Sequence, residues 1–208
     1  MPDPSTLLAF ALASIVLLVV PGPTIALVIA RTLSGGQRAA APLVLGVGLG
    51  DLVAATVSLA GVGALLATSA AAFTVIKTVG ALYLVWIAIK LWREPVRAPD
   101  LSAPVPGDGA WRSFRDAFLV TLFNPKGIVF FIAFVPQFIA PDRPYTPQAA
   151  TFVLLFTALG MANGALYAWG ADGMRRMIGR AGILRAMSRT GALVIGAAGV
   201  ATLFARRA

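Results

Sequence analysis

Two charged side chains, Asp51 and Lys126, lie deep inside apolar stretches of the sequence. A charge in the hydrocarbon region of a membrane costs several kcal/mol unless it is paired or hydrated, so each of these residues is a candidate for function. The Lys126 ammonium could bind a carboxylate. The Asp51 carboxylate could bind an ammonium, carry a coupling proton or act only as the structural counter-ion of Lys126, and these roles stay open at this point.

Prolines interrupt two of the apolar stretches near their middles. Pro21 and Pro23 lack the N–H that a helix would use, so the carbonyls of Leu17 and Val19 lose their helical partners. In lipid, such groups must face protein, water or substrate. At the second interruption an asparagine can cap the following half-helix, whose N-terminus beside the lysine suits a carboxylate. We predict a substrate site formed by Pro21, Gly22, Pro23, Thr24, Asn124, Pro125 and Lys126, with a purely structural kink as the alternative.

A second polar face is expected on the fifth apolar stretch. Asn163 and Tyr167 are spaced to share a helix face with Gly160 and Gly164, because residues three and four apart are neighbours on a helix. We include Asn163 and Tyr167 among the predicted substrate-binding residues. A buried asparagine and tyrosine can equally serve to hold two helices together, and the sequence does not separate the two roles.

The composition excludes most catalytic chemistry. The chain has no cysteine, so it has no disulfide, no thiolate nucleophile and no thiolate-bound metal. It has no histidine either, and therefore lacks the commonest general base and metal ligand. We expect no metal site, no cofactor and no enzymatic activity.

Two other functions each fit one feature of the sequence. Gly48-Leu49-Gly50-Asp51 matches the Gly-x-Gly-Asp signature of intramembrane aspartyl proteases. Such an enzyme needs a second carboxylate at the same site, and no other acid lies in the middle of an apolar stretch. A channel or cation exporter would use Asp51 as an ion ligand, although hard divalent cations normally take several oxygen ligands. The channel or cation exporter is the alternative function that we keep.

The apolar stretches themselves predict a membrane protein. Hydrophobic residues make up 59% of the 208 residues and charged residues 12%, and the mean hydropathy is +0.86. Six stretches approach the ~20 residues that cross a bilayer as a helix. They lie at roughly 7–30, 42–66, 72–92, 114–138, 148–171 and 188–205. We predict an all-α polytopic protein with a first half at 1–92, a cytoplasmic linker at 93–113 and a second half at 114–208.

The arginines between the stretches predict the orientation. Eleven lie in the first, third and fifth connections, and three lie on the other side. Because cytoplasmic loops are enriched in Lys and Arg, the odd-numbered connections are expected in the cytoplasm and both termini outside. The net charge of +9 is thus a topology signal, and we expect the lipid bilayer rather than nucleic acid as the partner.

The two halves show signs of an internal repeat. Aligning Pro21 with Pro125 pairs the two interruptions, and Gly46 and Gly50 pair with Gly160 and Gly164 in the same way. Three spans per half is an odd number, so the halves must have opposite orientations in the membrane. A 3+3 inverted repeat with interrupted helices 1 and 4 is typical of secondary transporters, in which the paired interruptions mark a binding site at the midplane.

Several stretches together resemble the LysE/RhtB type of amino-acid exporters. These are Pro21-Gly22-Pro23, Gly46 through Asp51, Gly80-Ala81-Leu82-Tyr83-Leu84, and 118–138, which reads FLVTLFNPKGIVFFIAFVPQF. The resemblance implies a bacterial plasma (inner) membrane protein that expels small-molecule amino acids or their derivatives, driven by the proton gradient, and a homo-oligomer is compatible with it. Members commonly have asparagine where this chain has Thr24, so the resemblance does not identify the substrate.

Overall fold

The computed structural model describes residues 1–68, 70–93, 109–171, 173 and 181–204, and this part of the chain contains helices and no strand. The helices are α1 (Pro4–Val19), α2 (Pro23–Gly35), α3 (Ala40–Thr68), α4 (Ala70–Arg93), α5 (Ala110–Leu122), α6 (Pro125–Val129), α7 (Tyr145–Trp169) and α8 (Ala181–Phe204). A π-helical turn, Phe130–Phe134, and a 3-10 turn, Val135–Phe138, continue from α6. Another 3-10 turn, Gln37–Ala39, precedes α3.

The chain is a polytopic membrane protein. The segments Gln37–Ala64 and Tyr145–Trp169 are each long and apolar enough to cross a membrane. Two bent helix pairs, each counted as one span, raise the number of candidate spans in the described residues to four. α4 and α8 lie where the third and sixth spans were predicted, but the six-span layout stays a prediction. Most of the predicted linker, residues 94–108, lies outside the described residues.

Both predicted interruptions are found. α1 and α2 meet at an angle of 57°, and α5 meets the segment Pro125–Phe138 at 41°. At each break a proline begins the new helix, where its missing N–H costs nothing and its fixed φ favours the first turn. Gly22 precedes the first of these prolines in an extended conformation. The local chemistry of proline therefore accounts for both breaks.

Two apolar clusters form the core. The phenylalanine cluster consists of Phe10, Phe130, Phe131, Phe134, Phe138, Phe152 and Phe156, whose rings pack with centroid separations as short as 4.7 Å between Phe10 and Phe152. A second cluster joins α2, the first part of α3, α5 and the end of α7. Phe156 from the first cluster and Ile25 and Val47 from the second line one cavity, which therefore lies between the two clusters.

Glycines let α3 approach α5 closely. A side-chain carbon at Gly46 would collide with the backbone carbonyl of Phe114, and one at Gly50 would lie 2.8 Å from Thr121 Cβ and 2.9 Å from the carbonyl of Phe118. Only a residue without Cβ fits at such a contact. This packing sets α3, which carries Asp51, directly against the helix that leads into the second break.

Candidate functional site

The carbonyls of the last two residues of α1 and of the C-cap residue after it accept hydrogen bonds from three side chains of the second half of the chain. Asn163 Nδ2 donates to the carbonyl of Leu18 at 3.2 Å, and the Tyr167 hydroxyl donates to that of Val19 at 2.8 Å. The Lys126 ammonium donates to the carbonyl of Val20 at 2.7 Å. We call these three acceptors the carbonyl end of α1. A helix C-terminus carries partial negative charge, so a cation is well placed there.

This arrangement differs in part from the expectation that Pro21 and Pro23 would expose the carbonyls of Leu17 and Val19. The carbonyl of Val19 is indeed bonded outside the helix, whereas the other two acceptors are Leu18 and Val20. The reason is that α1 ends at Val19. The final carbonyls of any helix lack partners within it, so the end of α1, and not only the missing proline N–H groups, determines which carbonyls are available.

At the second break, Asn124 acts as predicted. Its side-chain oxygen accepts a hydrogen bond from the backbone N–H of Lys126 at 3.1 Å and caps α6. Its amide nitrogen donates to the Thr24 hydroxyl at 3.3 Å, and the Thr121 hydroxyl lies 3.4 Å from the same oxygen. Thr24, in the first turn of α2, thereby joins the two breaks. The Thr121 hydroxyl was not among the predicted site residues, although Thr121 lies four residues before Pro125 and so shares the face of the break.

Asp51 lies on α3 with its carboxylate against Gly160 of α7. A Cβ at Gly160 would collide with Asp51 Oδ2. Among the described residues, no hydrogen-bond donor and no cation is in direct contact with the Asp51 carboxylate. The Lys126 ammonium attracts it across the cavity without forming a direct ion pair. A carboxylate with no direct protein partner is available to a cation that enters the cavity.

One cavity is lined by most of the predicted site residues. Its volume is about 40 Å³, which is room for only a few water molecules. Of the predicted residues, Gly22, Thr24, Asp51, Asn124, Lys126 and Asn163 line it, while Pro21, Pro23, Pro125 and Tyr167 do not. The prolines shape the breaks, and Tyr167 reaches the carbonyl of Val19 from outside the cavity. The remaining lining is mostly apolar, and Thr121 is its one polar residue. The others are Leu17, Leu18, Val20, Ile25, Val47, Phe156, Gly127 and Gly160.

No group of three or more His, Cys, Asp or Glu side chains is placed to hold a metal ion in the described part of the chain. The polar side chains that line the cavity are instead of four different kinds: one carboxylate, one ammonium, two amides and two hydroxyls. Such a set can hold a small molecule that carries both a positive and a negative group.

An ion pair joins the two halves of the chain away from the cavity. Arg31, near the end of α2 and 5% exposed, contacts the carboxylate of Asp116 on α5. Arg115 also contacts Asp116, at 3.0 Å. At the sequence level Arg31 counted only toward the orientation, because nothing near it in the chain shows that an acid 85 residues away is its partner.

Comparison with known proteins gives consistent matches. A family described as LysE type translocator matches residues 15–206. A protein of Vibrio cholerae serotype O1 named "Uncharacterized membrane protein" is 36% identical over 177 residues, which are 83% of this chain and 82% of that protein. Proteins of Salmonella typhi and Salmonella typhimurium named "Homoserine/homoserine lactone efflux protein" are 35% and 34% identical over 147 residues, 71% of this chain and 69% of theirs. No solved structure matches the chain significantly.

Proposed function

Because this chain belongs to the family of LysE type translocators, we propose that it exports amino acids or amino-acid derivatives across the bacterial plasma membrane, driven by the proton gradient. Its family consists of membrane transporters and not of enzymes. The observation that carries the proposal is the pair of opposite charges, Asp51 and Lys126, which line one cavity where two broken helices meet. An amino acid presents an ammonium and a carboxylate, which are complementary to these two groups.

In this proposal Lys126 and Asn124 engage the substrate carboxylate. An ammonium has three protons, and the described contacts use one of them, in the bond to Val20. Asp51 binds the substrate ammonium or carries the coupling proton. Pro21, Gly22, Pro23, Thr24 and Pro125 form the breaks around the substrate, and Asn163 and Tyr167 hold the carbonyl end of α1.

We further propose the six-span inverted repeat with both termini outside. The packing supports it: α3 packs against α5 as α7 packs against α1, and α4 packs against α8. These three contacts map onto one another when the two halves are exchanged. The cavity, at about 40 Å³, is small for an amino acid, so in this proposal the halves move apart to admit the substrate. The Arg31–Asp116 ion pair lies between α2 and α5, where such a movement would separate them.

The proposal is tested by comparing the amino acids and derivatives that overproducing and deletion strains release into the medium. The overproducing strain should accumulate at least one of them outside the cell, and homoserine and its lactone are the first to measure, given the names of two relatives. Purified protein in proteoliposomes should move the same compound when a pH gradient is imposed. A substrate flux that saturates, with no cation conductance in the absence of substrate, distinguishes a transporter from a channel. Equal release by both strains for every compound would contradict the proposal.

Replacing Lys126 tests its contact with the substrate. Lys126→Met keeps the stem and removes the charge, so export should fall by tens to thousands of fold. That range corresponds to the ~2–5 kcal/mol expected for losing one partner of a desolvated charge pair. Surface labelling should show that the variant still reaches the membrane. Normal export by a well-folded Lys126→Met would leave Lys126 with a structural role only.

Replacing Asp51 separates its two candidate roles. If Asp51 carries the coupling proton, Asp51→Asn should abolish export driven by a pH gradient but keep the exchange of substrate across the membrane without a gradient. If Asp51 binds the substrate ammonium, both activities should fail. Wild-type behaviour in both assays would remove Asp51 from the site.

A further inference from the structure

The carbonyl end of α1 has the features of a cation site. Its three acceptors are successive carbonyls at the negative end of a helix that stops inside the protein. In transporters with broken helices, such carbonyls coordinate the coupling Na⁺ or proton. Asp51 lines the same cavity as Val20 and adds a carboxylate with no direct partner among the described residues. These groups together favour one positive charge.

A positive charge is present at this place, and it belongs to the protein. Of the three donors to the carbonyl end of α1, Asn163 and Tyr167 are neutral and Lys126 alone is a cation. Its ammonium is a compact point charge, comparable in kind to a small free cation. The bond of 2.7 Å to Val20 has the length of a charge-assisted hydrogen bond.

We propose that the carbonyl of Val20 is a monovalent-cation site in the field of the Asp51 carboxylate, which lines the same cavity, and that the Lys126 ammonium fills this site as a tethered ion. The wild-type protein then needs no free Na⁺, because the position that a free ion would take is occupied. Truncating the side chain, as in Lys126→Ala, empties the site and lets a free monovalent cation enter. Methylammonium is the closest probe, since it reproduces the end of the lysine side chain.

Binding is tested on the purified protein in detergent, independently of transport. The Tm of Lys126→Ala should rise and saturate as methylammonium chloride is added, because a ligand that binds only the folded state stabilises it. Choline chloride at equal concentration controls for ionic strength, because its quaternary nitrogen has no N–H to donate to the carbonyl of Val20. The rise should be much smaller for the wild type, in which Lys126 occupies the carbonyl of Val20, and Asp51→Asn added to Lys126→Ala should remove it.

Two results would contradict the proposal that Lys126 acts as a tethered ion. One is an equal response of wild type and Lys126→Ala to methylammonium, and the other is a full response of the double variant. Should Lys126→Ala be lost during solubilisation, the readout becomes the yield of folded Lys126→Ser solubilised with methylammonium or with choline. A higher yield with methylammonium supports the site, and equal yields contradict it.

Transport in proteoliposomes gives the second readout, which rests on the proposed function. Wild-type export should be the same in Na⁺ and in choline, and methylammonium should restore part of the export that Lys126→Ala loses. Lys90→Ala is the matched control: Lys90 lies on α4 over the Trp86 ring, outside the cavity, and neither cation should change its export. Export that requires Na⁺ in the wild type would contradict the tethered ion and leave the exporter function intact. Absence of any export would contradict the proposed function, while the Tm measurement still decides the cation site.

Discussion

At Gly160, one added methyl group should reduce export while leaving the fold intact. On α7, the Cβ of an alanine at Gly160 would collide with Asp51 Oδ2. One turn further along the same helix, a Cβ at Gly164 would meet nothing closer than Val44 Cγ2 at 3.9 Å, an ordinary van der Waals contact. Gly164→Ala is therefore a control for Gly160→Ala in the same helix and for the same chemical change.

The magnitudes follow from two opposing effects. Alanine in a helix interior is favoured over glycine by about 0.8–1.0 kcal/mol, and both variants gain this amount. Overpacking typically costs about 1–3 kcal/mol, and it applies at Gly160 only. Gly164→Ala should be neutral or stabilising by up to about 1 kcal/mol, and Gly160→Ala destabilising by about 0–2 kcal/mol. The atom in the way is the end of a side chain, so the Asp51 carboxylate can turn aside before the helices separate.

Tm in detergent and export by whole cells measure the two consequences. Gly160→Ala should keep a Tm within several degrees of the wild type and lose at least about tenfold in export, because about 1.4 kcal/mol of lost interaction with a displaced carboxylate already gives that factor. Gly164→Ala should export normally. Normal export by Gly160→Ala would show that the position of the Asp51 carboxylate does not matter for transport. A misfolded Gly160→Ala would show that the helices, and not the carboxylate, take up the collision.

Two further changes probe the packing around the site. Gly46→Ala places Cβ against the backbone of α5, which cannot change its conformation as a side chain can, so it should destabilise the protein by about 3 kcal/mol or more. Gly61→Ala on the same helix is the control, because its Cβ would meet nothing within 4 Å and should not lower the Tm. Asp116→Asn removes the charge that contacts buried Arg31 and should destabilise by up to about 3 kcal/mol; an unchanged Tm would show that the pair contributes nothing to holding α2 against α5.

The features that sequence reasoning predicted are those that local chemistry determines. The two breaks follow from proline, whose effect extends only over the preceding turn. The cap at Asn124 follows from a side chain and a backbone N–H two residues apart. The fifth apolar stretch, predicted at 148–171, corresponds to α7 at Tyr145–Trp169, because apolar length alone determines such a helix to within a few residues.

The features that were missed depend on contacts between distant parts of the chain. The sequence identifies Lys126 as a deep charge but not the carbonyl of Val20, 106 residues away, as its partner. It likewise left Asn163 and Tyr167 between binding substrate and holding helices, and both prove to bond the carbonyl end of α1. The π-helical turn at Phe130–Phe134 has no signal of its own, since its phenylalanines would fit an α-helix equally well.

Under the proposed function, the bonds to the carbonyl end of α1 let a broken helix be stable and still move during transport. All three donors come from the second half of the chain, so the break in the first half is satisfied only while the two halves are docked. Hydrogen bonds between helices in membranes contribute about 0.6 kcal/mol on average and about 1.7 kcal/mol at most, so exchanging three of them costs on the order of 2–5 kcal/mol. A substrate that binds only the opened form, with a Kd of about 1 mM at the 1 M standard state, supplies about 4 kcal/mol toward that form. A weakly bound amino acid can therefore replace these contacts and shift the halves apart, whereas a site closed by a larger apolar interface would require much tighter binding.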